Sequence, residues 1–260
     1  VIALEQGQAL HRLGVRVRLF GRSLRTGPIT DPGVLQSAEK VFSSEFPFTA
    51  PVKVEKVEPD ENGVRVLYRN NEDSGVEEEV FEQVLAATGR DPNLTELNLE
   101  QTSLKLDSRG IPVYNPLTMQ CGNSPVFIAG DVNNTLTVLH EAADEGRIAG
   151  DNAGRFPDVR EGHRSSPMTV VFTDPQMAVV GKIWNDLQGR DYVMGSVSFE
   201  GQGRSRVMLQ NRGRLHLYAE PGSGRLLGME AVGPQVEHLA HLVAWSHQPV
   251  SYTHLTLPTI

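Results

Sequence analysis

Cysteine is nearly missing from this chain. Among 260 residues there is one, Cys121, and a lone thiol excludes any internal disulfide. That scarcity suits a reducing compartment, so a cytoplasmic protein is expected. No apolar run reaches the ~20 residues of a membrane span, and no charged-then-apolar leader opens the chain. A basic surplus is missing too. The formal net charge is −8, from 24 Lys and Arg against 32 Asp and Glu. That argues against a general nucleic-acid binder, which needs a positive face. Metal-ligand spacing is also lacking. His11, His163, His216, His238, His241 and His247 fall in no ligand pattern, and His238 and His241 share a helix without a Cys or carboxylate partner set. Internal repeats and low-complexity segments are absent.

What remains reads as alternating α and β elements. The chain opens on Val1, not Met, inside a helical pattern, "VIALEQGQALHRLG", which Gly14 ends. Nothing caps its front, so we expect an upstream segment. "VRVRLFG" alternates as a strand does, and "DPGVLQSAEKVFSSEF" returns to helical spacing through Val34, Leu35, Ala38, Val41 and Phe42. "PVKVEKVEP" and "GVRVLYRN" flank the hairpin turn "DENG", and "EVFEQVLAATG" is a third strand. "SRGIPVYN" and "SPVFIAGD" supply two more. "TVLHEAADEGRIAGDNA" is a helix whose Leu139, Ala142, Ala143, Gly146, Ala149 and Ala153 form a small-residue face for a sheet. Residues 155–166 read as a linker. Beyond them come a hairpin around Thr173-Asp174-Pro175, a hairpin around "EPGSG", and a helix with Val236, Leu239, Ala240 and Val243 on one face. This second part is α+β with an antiparallel sheet.

Three stretches carry chemistry. A dinucleotide fingerprint needs two glycines in a strand-to-helix turn and a small third residue for close packing. Only that third position has a candidate here, Ala3. The next strand ends at Gly21-Arg22, with Arg25 following and no acid within reach. An acid there would take a ribose 2′-OH, whereas arginines suit a 2′-phosphate; an ordinary solvated loop is the other reading. "AATGR" and "FIAGD" end in Gly89 and in Gly130-Asp131. Ligands bind beyond the carboxyl ends of parallel strands, where glycine admits close approach and aspartate accepts from a sugar hydroxyl. Either stretch alone reads as a turn. Both, about 40 residues apart and followed by a small-residue helix, favour a ligand site.

These stretches and "FTDPQMAVVG" stand in one order and spacing. From residue 1 to about residue 248 the chain resembles the FAD-dependent pyridine nucleotide–disulfide oxidoreductases, the dihydrolipoamide dehydrogenases most of all. The resemblance implies a Rossmann-like α/β nucleotide-binding segment followed by an α+β dimerisation domain with an antiparallel sheet. It divides the chain into an NAD(P)-binding domain (1–90), the C-terminal part of an FAD-binding domain (91–156) and a dimerisation domain (165–248). It implies FAD and NAD or NADP as cofactors, a homodimer, and a small-molecule or lipoyl-domain disulfide as substrate, with no nucleic-acid or membrane partner. Gly130 and Asp131 match flavin-contacting positions, and Thr137, Val138, Leu139 and His140 match the segment approaching the flavin. Val1, Ile2, Ala3, Leu4 and Glu5 match the start of the fingerprint helix. Gly21 and Arg22 match the adenine-ribose end, where NAD-using members carry an acid, so NADPH tolerance is expected. Val54 and Gly89 match positions near the nicotinamide dinucleotide.

Two family features have no counterpart. Cys121 precedes a strand without a partner and is not the redox pair, which is expected upstream. The family closes with His-Pro-Thr and a glutamate, whereas here His254 is followed by Leu-Thr-Leu-Pro-Thr. No catalytic role passes to His254, residues 249–260 resemble translated linker sequence, and the 260-residue chain alone is expected to be inactive. Two alternatives stay open: a related enzyme with glutathione or mercuric ion as acceptor, and a non-catalytic nucleotide-binding or dimerisation module.

Overall fold

The computed structural model describes residues 1–22, 26–70 and 74–248. The chain forms two compact units, one made of Val1–Ala87 with the segment from Met168 onward, the other of Thr88–Pro167. In the first, helix α1 (Ile2–Arg12) leads to strand β1 (Leu19–Phe20), helix α2 (Pro32–Ser43) and strand β2 (Phe48–Thr49). β1 and β2 pair in parallel, Leu19 beside Phe48 and Phe20 beside Thr49. Parallel neighbours need a crossover, and α2 supplies it, giving the β–α–β unit of a nucleotide-binding fold. α2 starts where it does because Asp31 caps it, accepting from Gly33 N at 2.8 Å and Val34 N at 3.1 Å, with Pro32 at the first helical position. Strands β3 (Lys53–Asp60), β4 (Gly63–Arg69) and β5 (Glu77–Phe81) form an antiparallel meander. The "DENG" turn is the β3–β4 connection. Its Gly63 has φ +139°, and a side chain there would meet the Phe81 carbonyl oxygen at 2.2 Å.

In the second unit the main element is helix α3 (Leu139–Arg155). The rest is short 3₁₀ turns, Thr95–Leu97, Leu99–Gln101 and Asp131–Asn133, and loops joined by single bridges, Leu106 to Pro112, Tyr114 to Cys121 and Gln120 to Phe127. A small core of Ile111, Cys121 and Ile128 holds them. Residues 155–166 are no free linker. Asn152 donates to the Arg160 carbonyl and accepts from its N–H, both at 2.8 Å, and Gly162 N donates to Leu117 O.

The remaining elements complete the first unit. Strands β6 (Met168–Val171), β7 (Gln176–Gly181), β8 (Val193–Ser198), β9 (Arg214–Ala219) and β10 (Leu226–Gly233) make an antiparallel sheet in the order β6-β7-β10-β9-β8. A short helix, α4 (Gly203–Val207), precedes β9, and α5 (Val236–His247) covers β7 and β10 with Val236, Ala240 and Ala244. The main core joins α1 and α2 to the sheet through Leu4, Ile29, Val34, Phe42, Val171 and Met177. Each large apolar side chain fully buried there contributes about 1.5–3 kcal/mol. A buried polar seam lies beside it. Glu230 accepts from Thr30 N (2.6 Å), Thr30 Oγ1 (2.8 Å), Asp31 N (3.0 Å) and Trp184 N (2.6 Å). Asp31 also accepts from Tyr218 Oη at 2.9 Å, and His216 Nδ1 lies 2.8 Å from the same carboxylate oxygen.

Five sequence readings need correction. "VRVRLFG" is a strand only at its last apolar pair, where β2 offers hydrogen bonds. "EVFEQVLAATG" stops being a strand at Phe81, and "SPVFIAGD" and "SRGIPVYN" form only isolated bridges. Apolar patterning is not enough for a strand, because a ladder needs a neighbour, and among the described residues no strand runs beside 84–90 or 128–131, where Ile128 N bonds only Met119 O. The α3 face assignment is also reversed. Glu141, Glu145, Ile148 and Asn152 are buried, while Leu139, Ala143, Gly146 and Ala153 are exposed. Those inward polar groups are satisfied by hydrogen bonds, which is why they can be inside. β8, exposed along its length, was not foreseen.

Candidate functional site

In the Thr88–Pro167 unit, Gly130 and Asp131 sit on a sharp turn that opens a short 3₁₀ helix, Asp131–Asn133. Gly130 has φ +80° and ψ −163°, a region open in practice only to glycine. A Cβ there would lie 3.5 Å from that of Ala142, so the turn rests against the first turn of α3. Its backbone closes through Asn133 N to Gly130 O and Asn134 N to Asp131 O, each at 3.0 Å. Asp131 is exposed, and its carboxylate enters none of these bonds. The start of α3 carries no side-chain cap at Val138. Leu139 is 87% exposed and Thr137 and His140 are exposed as well. An uncapped helix start has N–H groups and a partial positive charge to offer. A free carboxylate beside it suits a polyol hydroxyl.

The turn is braced from below. Glu145, 1% exposed, accepts from Gly130 N at 2.7 Å and Asn133 Nδ2 at 2.6 Å. Arg164 Nη2 bridges Glu145 at 3.0 Å and Glu141 at 2.6 Å. The Arg164 guanidinium loses charge stability by burial, but these carboxylates outweigh that and hold its pKa above the usual value. A cavity of about 330 Å³ opens beside Asn133, Asn134 and Thr135, floored by Ile111 and Tyr114. Asp131 does not line it. Gly89 has φ +107° and stands in open space.

The other candidate residues belong to the first unit. Val1 and Ile2 are exposed and Leu4 is buried. Leu4 packs into the main core, and Gly7 brings α1 against Val17 and Leu19. Glu5 Oε1 accepts from Phe172 N at 2.8 Å, so it ties α1 to the β6–β7 connection. Gly21 donates from N to Thr49 O at 2.9 Å and accepts from Val52 N at 2.7 Å. A side chain there would press Phe48 and Ala50 at 3.1 Å, so glycine lets the end of β1 lie close to β2. Arg22 is exposed just beyond it. Val54 is 44% exposed on β3. Arg25 and His254 lie outside the described residues, as does all of 249–260. Val1–Glu5, Gly21 and Arg22 are thus gathered around the α1–β1 pair, and Val54 lies on the meander two residues beyond Val52, which bonds Gly21.

Sequence reading missed Glu141, Glu145 and Arg164. A signal was present: Glu141, Glu145, Ile148 and Asn152 recur at helical spacing, and that stripe is the inward one. Acidic members made it look like a solvent face. Cys121 is buried, and burial raises its thiol pKa.

A parallel β–α–β crossover carried on an antiparallel sheet, with a Gly–Asp turn at the foot of a helix, defines a nucleotide-binding α/β protein with an appended α+β domain. The chain belongs to the pyridine nucleotide-disulphide oxidoreductase family: residues 1–146 match that family and 167–248 match its dimerisation domain. The family uses FAD and NAD(P)H. A dihydrolipoyl dehydrogenase of Thermus scotoductus is 29% identical over 241 residues, 92% of this chain and 51% of that protein. A mercuric reductase of Shigella flexneri is 30% identical over 259 residues, 94% of this chain and 43% of that protein. Among solved structures, LpdA from Mycobacterium tuberculosis superposes with a TM-score of 0.79 at 21% identity, over 95% of this chain and 53% of that one. The chain therefore spans about half the length of the relatives it matches.

Proposed function

We propose that this chain supplies the nicotinamide-binding, flavin-orienting and subunit-pairing parts of a flavin-dependent disulfide oxidoreductase of the dihydrolipoyl dehydrogenase kind. One observation carries the reading. Among the described residues no side chain engages the exposed Asp131 carboxylate, which follows a braced glycine turn resting on the first turn of the uncapped helix α3. Asp131 accepts from a ribityl or ribose hydroxyl of FAD, Gly130 admits the ligand closely, and the segment Thr137–His140 approaches it, with the backbone N–H groups of Leu139 and His140 at the start of α3 turned to it while that of Val138 is held by Leu136 O. FAD, when bound, supplies a carrier for two electrons between a nicotinamide and a disulfide. The nucleotide-binding part of the chain holds NAD(P)H, with Val1–Glu5 at the head of α1, Val54 near the dinucleotide, and Gly21 and Arg22 at its adenosine end. Arg22 meets the 2′-phosphate of NADPH, since no acid stands there to select NADH. Residues 91–156 complete the flavin domain, and 165–248 pair two subunits. The buried Cys121 suits a cytoplasmic setting. The acceptor is a lipoyl-type disulfide; the match to a mercuric reductase over 94% of this chain supports mercuric ion as the second reading.

The test uses the protein expressed from its complete gene and loaded with FAD. Asp131→Ala should weaken FAD binding by about 10- to 100-fold, the loss of one charge-assisted hydrogen bond. Unchanged retention on gel filtration removes Asp131 from the site. Parallel kcat/KM values for NADH and NADPH, before and after Arg22→Ala, read the adenosine end. Comparing lipoamide, oxidised glutathione and Hg²⁺ as acceptors separates the two enzyme readings.

A further inference from the structure

The Asp131 turn does not hold itself. Its shape depends on a residue fourteen positions further on, and the chemistry of that residue is unusual for its place. Glu145 is 1% exposed on the inward face of α3, where an unpaired carboxylate is very costly. One of its oxygens, Oε2, receives both Gly130 N and Asn133 Nδ2, at 2.7 and 2.6 Å. These donors bracket Asp131: one precedes it, the other ends the 3₁₀ helix that it begins. The second oxygen, Oε1, receives Arg164 at 3.0 Å. Asn133 also accepts through Oδ1 from Thr135 N at 2.9 Å, extending the brace.

We infer that Glu145 is a positioning residue for the flavin site, presenting the Asp131 carboxylate by gripping the turn on both sides of it, with Arg164 fixing the grip. The inference rests on Asp131 being a flavin contact, as proposed above. Glu145 touches no ligand itself. Its role requires a carboxylate, because three donors converge on two oxygens. A glutamine keeps one acceptor but turns an NH₂ toward Arg164 or toward the Gly130–Asn133 donors, so donor faces donor. Glycine enters the Gly130 conformation without strain but is equally free to leave it, and the Glu145 bond to its N–H is one contact that selects it.

A double-mutant cycle on the FAD-loaded protein tests this, with two readouts. The first is the FAD dissociation constant for Glu145→Gln and Glu145→Leu, each in the native background and with Asp131→Asn. The second is amide hydrogen exchange at Gly130 and Asn133, compared with Ile148 in the same helix. If Glu145 acts through Asp131, its substitution weakens FAD binding about tenfold in the native background and less than about twofold beside Asp131→Asn. Gly130 exchange then accelerates while Ile148 stays protected. An equal loss in both backgrounds, or none, overturns the positioning role while Asp131 keeps its own. Should Asp131→Ala alone leave FAD binding unchanged, the flavin contact fails, and the route from Glu145 through it fails with it. The isosteric glutamine variant keeps the test alive if the leucine variant does not fold.

Discussion

Cys121 carries the only thiol of the chain and sits in a core with Ile111 and Ile128. Burial pushes its pKa up, so the thiolate, the reactive form, is scarce at neutral pH. A thiol reagent such as 5,5′-dithiobis(2-nitrobenzoate) should therefore label the folded protein far more slowly than the urea-unfolded protein. Equal rates would show that the core around Cys121 opens freely. Sequence alone showed that this cysteine has no partner. Its inertness depends on burial, which three short bridges and the loops between them create. The turn at Gly130-Asp131 was legible because glycine and aspartate after an apolar run punctuate the chain. Glu145 was not, since a glutamate on a helix gives no hint of whether it faces water or a buried amide.

Among the elements, α2 shows how a cap becomes a joint. Asp31 caps its own helix and also receives Tyr218 from β9. Burial raises the Asp31 pKa, but His216, the Val34 N–H and Tyr218 together outweigh it, and the carboxyl lies below its ordinary value of 3.8. The unfolded chain therefore binds this proton more readily than the folded one. The stabilisation is complete above the unfolded pKa and is lost as the pH falls through the folded one. Asp31→Asn should cost about 1–3 kcal/mol at pH 7, and the gap should shrink below pH ~4. Urea unfolding at pH 7 and pH 3 measures it, and a gap that widens in acid contradicts the linkage. The longer helices α1, α2, α3 and α5 were legible, because helical spacing holds over ten or more residues in each, with a cap as well at α2. The strands were legible where a hairpin joins neighbours, as at "DENG" and Thr173–Pro175. They were over-read wherever the partner strand is not among the described residues.

For the whole molecule, the sheet and α5 leave Leu242 and Trp245 exposed, at 59% and 60%, in the segment that matches a dimerisation domain. Covering them in a homodimer would bury well over ~2,000 Å² in total if the pairing is obligate. Sedimentation equilibrium of the FAD-loaded protein should show dimer at micromolar concentration, and Trp245→Glu with Leu242→Glu should yield monomer. A native, FAD-loaded monomer at that concentration removes the pairing role. Thr30 and Glu230, bonded in the same seam, are 200 positions apart. At a synthesis rate of roughly 5–20 residues per second, Thr30 leaves the ribosome about 10–40 s before its partner is made. Through most of that interval the apolar side of α2, with Val34, Ala38 and Phe42, lacks the sheet residues it shares a core with, Val171, Met177 and Val232. The nascent chain is then a client for any factor that shields hydrophobic surface, and its dependence on one should rise as translation slows.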